Sequence, residues 1–502
     1  MRIKRFAAVL GVVLLVIPIL TFMTAYAYPG IEQNQTIIFD VTTNQRISIP
    51  STYKLKKIIA IQDDDGQMAS EPVDIFVAGD GRTYVLDMMS GRVFLYNSRF
   101  ELTKIISSFF LENGEESPLN KPEGIFVTDD GIIYIADTQN ERIIKINEDG
   151  RILFITNKPE SFQGIAIETF YPIKVVTDSI GRLSVVARNI NMGLLQFDVE
   201  GNFTGYTGAP KVKVNLLTKV WKIISTQEQK AQMEQFVPTE YSNICIDKDG
   251  FVYGCISSIS QTDVMTAYTS KDKSGNATPI KKLNSMGKDV LKRNGTIAPL
   301  GNLDFLKTGS VSRMIDVALG PSGSYTMLDN LTGTLYTYSD EGILLYAFGG
   351  KGKSKNSFER PVAIDYLGDD ILVLDSLISQ IMVFEPTEYY KVVLDAISAE
   401  YTGDFDVAYD KWGEVTRQNS NFSYAYIGLG KAEYEKGNYQ EAKEYFEYAR
   451  ETRMYSKAKE KQRQEYMATA FPIVFFLVLV MILSFFINGT ILKIRRYFEE
   501  RS

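Results

Sequence analysis

Not one histidine occurs in the 502 residues. That absence excludes Ser-His-Asp and Cys-His catalysis, imidazole zinc sites and histidine pH switches. Cysteine is nearly as scarce, with Cys245 and Cys255 alone, flanking the turn Asp249-Gly250. A two-residue turn there pairs Cys245 with Gly254 and leaves Cys255 on the opposite face, whereas a slightly longer loop pairs the two. A disulfide and two small buried thiols both stay open. Nor is charge of one sign concentrated: the net is -7, with acids and bases interspersed, so a nucleic-acid partner is not expected. What is present is ordinary globular material, 45% hydrophobic and 23% charged, which excludes wholesale disorder. The length exceeds one core and implies several domains.

Two long apolar runs stand at the ends. Arg2, Lys4 and Arg5 precede an apolar stretch over 6–22, then Ala25-Tyr26-Ala27. A basic start, an apolar run and a small-x-small site read as a signal peptide over 1–27, or as an uncleaved N-terminal anchor. Residues 28–52 are expected to be a linker. Near the other end, 471–487 lacks any charge, and Lys493, Arg495 and Arg496 follow. A transmembrane helix over 467–492 with a cytoplasmic basic tail over 493–502 is predicted, which puts the bulk of the chain outside the cytoplasm.

Between the ends one pattern recurs: a short apolar strand, a turn, a second strand ending in Asp, then two more strands. The turns fall at Asp80-Gly81, Asp130-Gly131, Ile180-Gly181, Asp249-Gly250, Ser322-Gly323 and Asp369-Asp370. Short strands rich in Ile, Val, Tyr and Phe surround each one. A near-constant spacing with enlarged members is what a repeat fold with loop insertions produces. Four-stranded sheets leave exposed edges, and radial arrangement protects them. The reading is therefore a six-bladed β-propeller over 53–386. After the sixth unit's third strand the chain turns helical, so the early strand over 54–61 is expected to complete the sixth blade and close the ring.

The stretches 344–365 (LLYAFGGKGKSKNSFERPVAID) and 121–150 (KPEGIFVTDDGIIYIADTQNERIIKINEDG) resemble the NHL repeat family of propellers. The resemblance is strong for blades one, two, five and six and weaker for three and four: blade three lacks the aspartate that ends the second strand (SVVAR over 184–188), and blade four has Cys255-Ile256-Ser257 there. That recurrent aspartate, at Asp87, Asp137, Asp329 and Asp375, suits a local structural role, accepting backbone hydrogen bonds from the next tight loop. The run Asp247-Lys248-Asp249-Gly250 begins like a calcium loop but lacks the later bidentate Glu, so a hairpin turn is expected.

From Thr387 the period becomes helical. Ala396, Gly403, Phe405, Ala408 and Trp412 are echoed 34 residues later by Gly430, Gly437, Tyr439, Ala442 and Phe446. This small/aromatic code resembles the tetratricopeptide repeat (TPR), a helix-turn-helix unit. Two units within 387–466 are fewer than independent stability needs, so they are expected to pack on the propeller or on a partner.

Loops joining second and third strands share a propeller face with the chain's passage between blades. Two long insertions, 208–240 and 257–278, belong there. A helix over 219–236 would offer Trp221 as a partner-contacting residue. Polar residues where the chain enters each blade are Glu71, Asp74, Glu123, Lys174, Asn243, Asp316 and Arg360, with Arg188 and Asn189 on the matching loop. Convergent polar groups in a shallow funnel suit a glycan or peptide ligand. The functional expectation is a membrane-anchored binding and scaffold protein without a cofactor, the TPR-like helices docking a protein partner. The main alternative is a metal-dependent, lactonase-like hydrolase, since related six-bladed propellers include lactonases and lyases; Glu71, Asn243 and Asp316 are the candidate oxygen ligands. A structural surface spacer is the third reading.

Overall fold

A computed structural model describes residues 35–40, 45–162, 165–190, 192–208, 241–270, 277–293, 299–301, 311–353 and 357–500. Six antiparallel sheets follow in chain order. Blade one is Pro72–Val77, Thr83–Asp87, Arg92–Tyr96 and Leu102–Ile106. Blade two is Gly124–Val127, Ile133–Asp137, Arg142–Ile146 and Ile152–Asn157, and blade three is Tyr171–Thr177, Leu183–Arg188, Leu194–Phe197 and Phe203–Thr207. Blade four shows Asn243–Ile246, Val252–Cys255 and Ile280–Leu283 among the described residues. Blade five is Met314–Leu319, Tyr325–Asp329, Thr334–Tyr338 and Leu344–Gly349. Blade six is Pro361–Leu367, Asp370–Asp375 and Gln380–Pro386, and its outer strand is Tyr53–Ala60, paired from Pro386↔Tyr53 to Gln380↔Ala60. The innermost strand of every blade touches that of the next, six to one included, so the ring closes as expected. This is a six-bladed β-propeller.

The hairpins differ in detail from the two-residue turns expected. In blades one to four the first turn has three residues and ends on a left-handed glycine: Gly81, Gly131, Gly181 and Gly250 have φ between 81° and 89°. The flanking residues close it, as where Asp247 N–H donates to Phe251 O and Gly250 N–H to Asp247 O. This type I turn with a G1 bulge matches strand twist. Asp178 and Asp247 brace their turns by accepting two backbone N–H groups each. In blade six the turn is Gly368-Asp369, one residue earlier than expected, between the paired Leu367 and Asp370. The longer loop in blade four opposes Cys245 to Tyr253 and Asn243 to Cys255. The thiols share a face but lie diagonally, and both are free.

Asp87, Asp137, Asp329 and Asp375 are fully buried. Each carboxylate accepts N–H groups from the segment that leads into its own blade: Ser70 and Glu71 for Asp87, Asn120 for Asp137, Arg313 for Asp329, Glu359 and Arg360 for Asp375. Three of them also hold the following loop, through Met89, Leu331 and Leu377 N–H. The local role expected for them is present and wider than foreseen, joining two loops on one face.

Five helices follow the last blade or stand beside it: α2 (Glu388–Thr402), α3 (Phe405–Gln418), α4 (Ser423–Glu435), α5 (Tyr439–Tyr448) and α6 (Thr452–Glu499), with α1 (Gln261–Ser270) in the blade-four insertion. The 34-residue echo has a physical basis. Gly403 and Gly437 take φ 81° and 86° where α2 and α4 stop. Trp412 and Phe446 are fully buried. A Cβ on Gly430 would come within 2.6 Å of the Phe446 ring, so the small residue makes room for the large one. The helices share one apolar core with blades five and six. Tyr390 of α2 meets Tyr53 and Tyr346 at ring-centroid distances of 5.2 and 4.5 Å, and Lys431 bridges Glu341 of blade five and Glu400 of α2 at 2.7 and 2.6 Å. Of the two outcomes expected for these helices, packing on the propeller is the one observed.

Ala458 is the buried residue of α6, and its apolar stretch beyond Pro472 is unburied throughout, which makes it a candidate membrane span. Residues 28–52, expected as a linker, include a hairpin, Gln35–Asp40 with Gln45–Pro50. The leader over 1–27, the predicted helix over 219–236 and Trp221 lie outside the described residues.

Candidate functional site

Strand direction sorts the loops into two faces. Inner strands start on one face, here the upper, and third strands end on the other. Pro386 ends a third strand, so the helices leave from the lower face, as does the segment before Tyr53; Thr387 Oγ1 donates to Ser51 O across this junction. The loops between second and third strands, with the described part of the blade-four insertion, and the starts of the inner strands are on the upper face.

The inner strands of blades one, three, five and six carry a bulge near their start, between Pro72 and Asp74, Pro172 and Lys174, Met314 and Asp316, Pro361 and Ala363. The equivalent positions in sequence are Asp74, Gly124, Lys174, Asn243, Asp316 and Ala363. The polar members form one network around the axis. Lys174 Nζ donates to Asp74 Oδ2 at 2.5 Å, and Asn243 Nδ2 to Asp316 Oδ1 at 2.6 Å. Carboxylates also stitch neighbouring blades: Ile125 N–H donates to Asp74, Ile364 N–H to Asp316 and Val77 N–H to Asp365, each at 2.7 Å. Gly124 leaves room for blade three, since a Cβ there would lie 2.4 Å from Ile173 O.

Asp365 was not among the residues read from the sequence. It follows Ala363 by two positions, which keeps it on the same side of the strand, and that offset was the available signal. The axis thus holds three carboxylates against one ammonium. Burial pushes Asp316 up to about 7 and Asp365 up to about 6. Burial works against the Lys174 ammonium, but Asp74, then Asp316, outweigh it and raise its pKa.

Outside this network lie two rim pairs. Arg360 contacts Glu71 at 3.6 Å and donates to Ser376 Oγ at 2.7 Å. Arg188 contacts Glu123, whose carboxyl is raised by burial despite that partner. Asn189 stands exposed with φ 61°. The sequence-derived residues therefore separate into a buried axis (Asp74, Lys174, Asp316, with half-buried Asn243) and a rim (Glu71, Glu123, Arg188, Asn189, Arg360). The three candidate metal ligands have other engagements: Asn243 and Asp316 bond one another, and Glu71 lies against Arg360. Among the described residues no three Cys, Asp or Glu side chains are grouped to hold a metal ion.

No family model matches this chain, and no curated protein matches it. Solved structures do. Virginiamycin B lyase from Staphylococcus aureus is similar at 12% identity over 66% of this chain and 99% of that one, TM-score 0.41. A protein of unknown function from Bacteroides thetaiotaomicron is similar at 12% identity over 68% of this chain and 80% of its own, TM-score 0.41. The extracellular domain of a hybrid two-component system from B. thetaiotaomicron is similar at 10% identity, over 70% of this chain and 37% of that chain, TM-score 0.37.

Proposed function

We propose that the chain is a membrane-anchored, extracytoplasmic binding and scaffold protein. Its NHL-type propeller offers the upper face to a glycan, peptide or protein, and its TPR-like helices dock a protein partner beside the bilayer, in a transport or envelope-assembly complex. One observation carries this reading: the helices and the apolar stretch of α6 follow from the lower face, and the polar axis and rim belong to the upper one. A chain rooted through α6 presents its upper face away from the lipid. The basic residues Lys493, Arg495 and Arg496 directly after the apolar run support a cytoplasmic C-terminus.

Protease added to intact cells tests the sidedness. Digestion of the propeller with a protected tail is expected, and the reverse pattern overturns it. Partner docking is tested by recovery of the full chain in mild detergent. Because the helices share a core with blades five and six, deleting 387–466 would strip those blades, and substitution of exposed Val407 and Tyr448 is the cleaner probe. Loss of a co-purifying membrane protein from the double alanine variant is expected; unchanged recovery removes the scaffold part of the reading.

A further inference from the structure

The loops on the upper face carry a feature that the polar funnel does not explain. Two residues after the buried aspartate of blades one, five and six comes an exposed aliphatic side chain: Met89 at 57%, Leu331 at 39% and Leu377 at 56% exposure. Blade three adds Met192 at 47% from its own, longer loop. Single exposed apolar residues are common, but these recur at one structural position and are held there alike. Met89, Leu331 and Leu377 N–H donate to Asp87, Asp329 and Asp375 at 3.3, 2.9 and 3.2 Å. Each carboxylate is itself fixed to the segment leading into its blade, so the loop backbone is pinned while the aliphatic side chain stands in water. Blades five, six and one are neighbours, so three of these tips form an arc around the axis, where Asp74, Asp316 and Asp365 face the single ammonium of Lys174.

We propose that the upper face is a docking surface for a polypeptide segment that carries aliphatic side chains on either side of a basic one. This rests on the reading of that face as the binding face. Aliphatic tips reward apolar side chains and offer no hydrogen bonds to a sugar's hydroxyls, and methionine adapts to varied apolar shapes. The charge argues for the basic residue: Arg188 and Arg360 already lie against Glu123 and Glu71, and the axis keeps an excess of carboxylates whose field favours a cation. A second copy docking face to face would oppose two such axes, which the same field disfavours.

The test uses the purified full chain in detergent, screened in parallel against a displayed random octapeptide library and a glycan array. Enriched peptides are expected to carry Leu, Ile, Val or Met flanking a Lys or Arg. A synthetic peptide of the enriched consensus should bind a Leu331→Ser/Leu377→Ser variant at least about tenfold more weakly, bind Leu331→Met/Leu377→Met nearly as well as the parent, and lose about tenfold when its basic residue becomes Glu. The tips are exposed, so an unaltered thermal midpoint shows that the variants are folded. Acidic or purely polar consensus peptides, or a consensus peptide indifferent to the serine variant, overturn the proposal. Glycan binding with a blank peptide screen also overturns it but leaves the binding face standing. Blank results on both overturn the two together.

Discussion

Blades one, two, five and six end their second strand in a buried aspartate, and blades three and four do not. In the first group a carboxylate with no water around it takes backbone N–H groups from the segment leading into its blade, and in three of the four from the loop ahead as well. That arrangement suits short loops, because every donor must reach one side chain. In blade three Ala187 occupies the position, opposing Pro172 as Asp87 opposes Pro72, and the next residue, Arg188, points to Glu123 of blade two. In blade four Ile256 occupies it, since Cys255 opposes Asn243 as Leu86 opposes Asp74. There the same two segments are joined by a backbone bond, Ser242 N–H to Cys255 O at 2.8 Å, that blade two also has between Glu123 N–H and Ala136 O. Both long insertions adjoin these two blades. The contrast teaches that the clamp keeps the upper loops short and fixed, and that its absence leaves length and side-chain type free to vary.

The most severe way to break that comparison is to remove a clamp. Asp375→Ala leaves the Glu359, Arg360 and Leu377 N–H groups without their acceptor in a dry site. The expected loss is about 3–5 kcal/mol of unfolding free energy. Ile256→Val, at the same position in an unclamped blade, trims one methyl group from a buried side chain and should cost about 1 kcal/mol. Denaturant titration of the full chain in detergent reads both, and equal losses would show that the aspartates are not clamps.

A second, smaller effect joins the two groups of blades, because the axial network runs through all of them except blade two. Asp316 and Asp365 sit in clamped blades, and the groups facing them are Asp74, Lys174, Asn243 and the buried thiols of Cys245 and Cys255. Both carboxyls hold their proton more tightly in the folded chain than in the unfolded one, with values of about 7 and about 6. Their contribution is therefore whole below about pH 4 and is lost as the pH rises through 6 and 7. Unfolding free energy should fall by about 2 kcal/mol between pH 6 and pH 8. Asp316→Asn should flatten that slope, and an unchanged slope would move its origin elsewhere.

The same contrast explains what could be read without coordinates. The six units and the closing strand are legible because Ile, Val and Tyr runs between turn residues leave few other arrangements, and because 54–61 has no other partner. The turn lengths were not legible from Asp-Gly alone, which serves two-residue and three-residue loops equally. In blades three and four the deciding residues are Asp178 and Asp247, two positions earlier. Asp365 escaped notice because blade six puts Ala363 at the axial position and its acid one pleat further on. The docking of the helices rests on Tyr53, Tyr346 and Tyr390, which look like ordinary core residues at great sequence separation. By contrast, Gly403 and Gly437 were legible, since a left-handed helix end calls for glycine wherever it falls.

The border between the two groups offers the smallest and sharpest tests. Gly124 begins clamped blade two against the inner strand of unclamped blade three. A methyl group there meets backbone at Ile173 and Lys174 and no flexible side chain, so the strand itself must move, and Gly124→Ala should cost about 1–2 kcal/mol. Arg188→Ala, across the same border, removes an exposed pair with Glu123 and should change stability by less than about 0.5 kcal/mol. If Arg188 instead proves as costly as Gly124, measured side by side by denaturant titration, blade three has a clamp of its own in the Arg188–Glu123 pair. The difference between the two groups would then be one of chemistry, a salt bridge in place of a buried carboxylate, and no longer one of freedom.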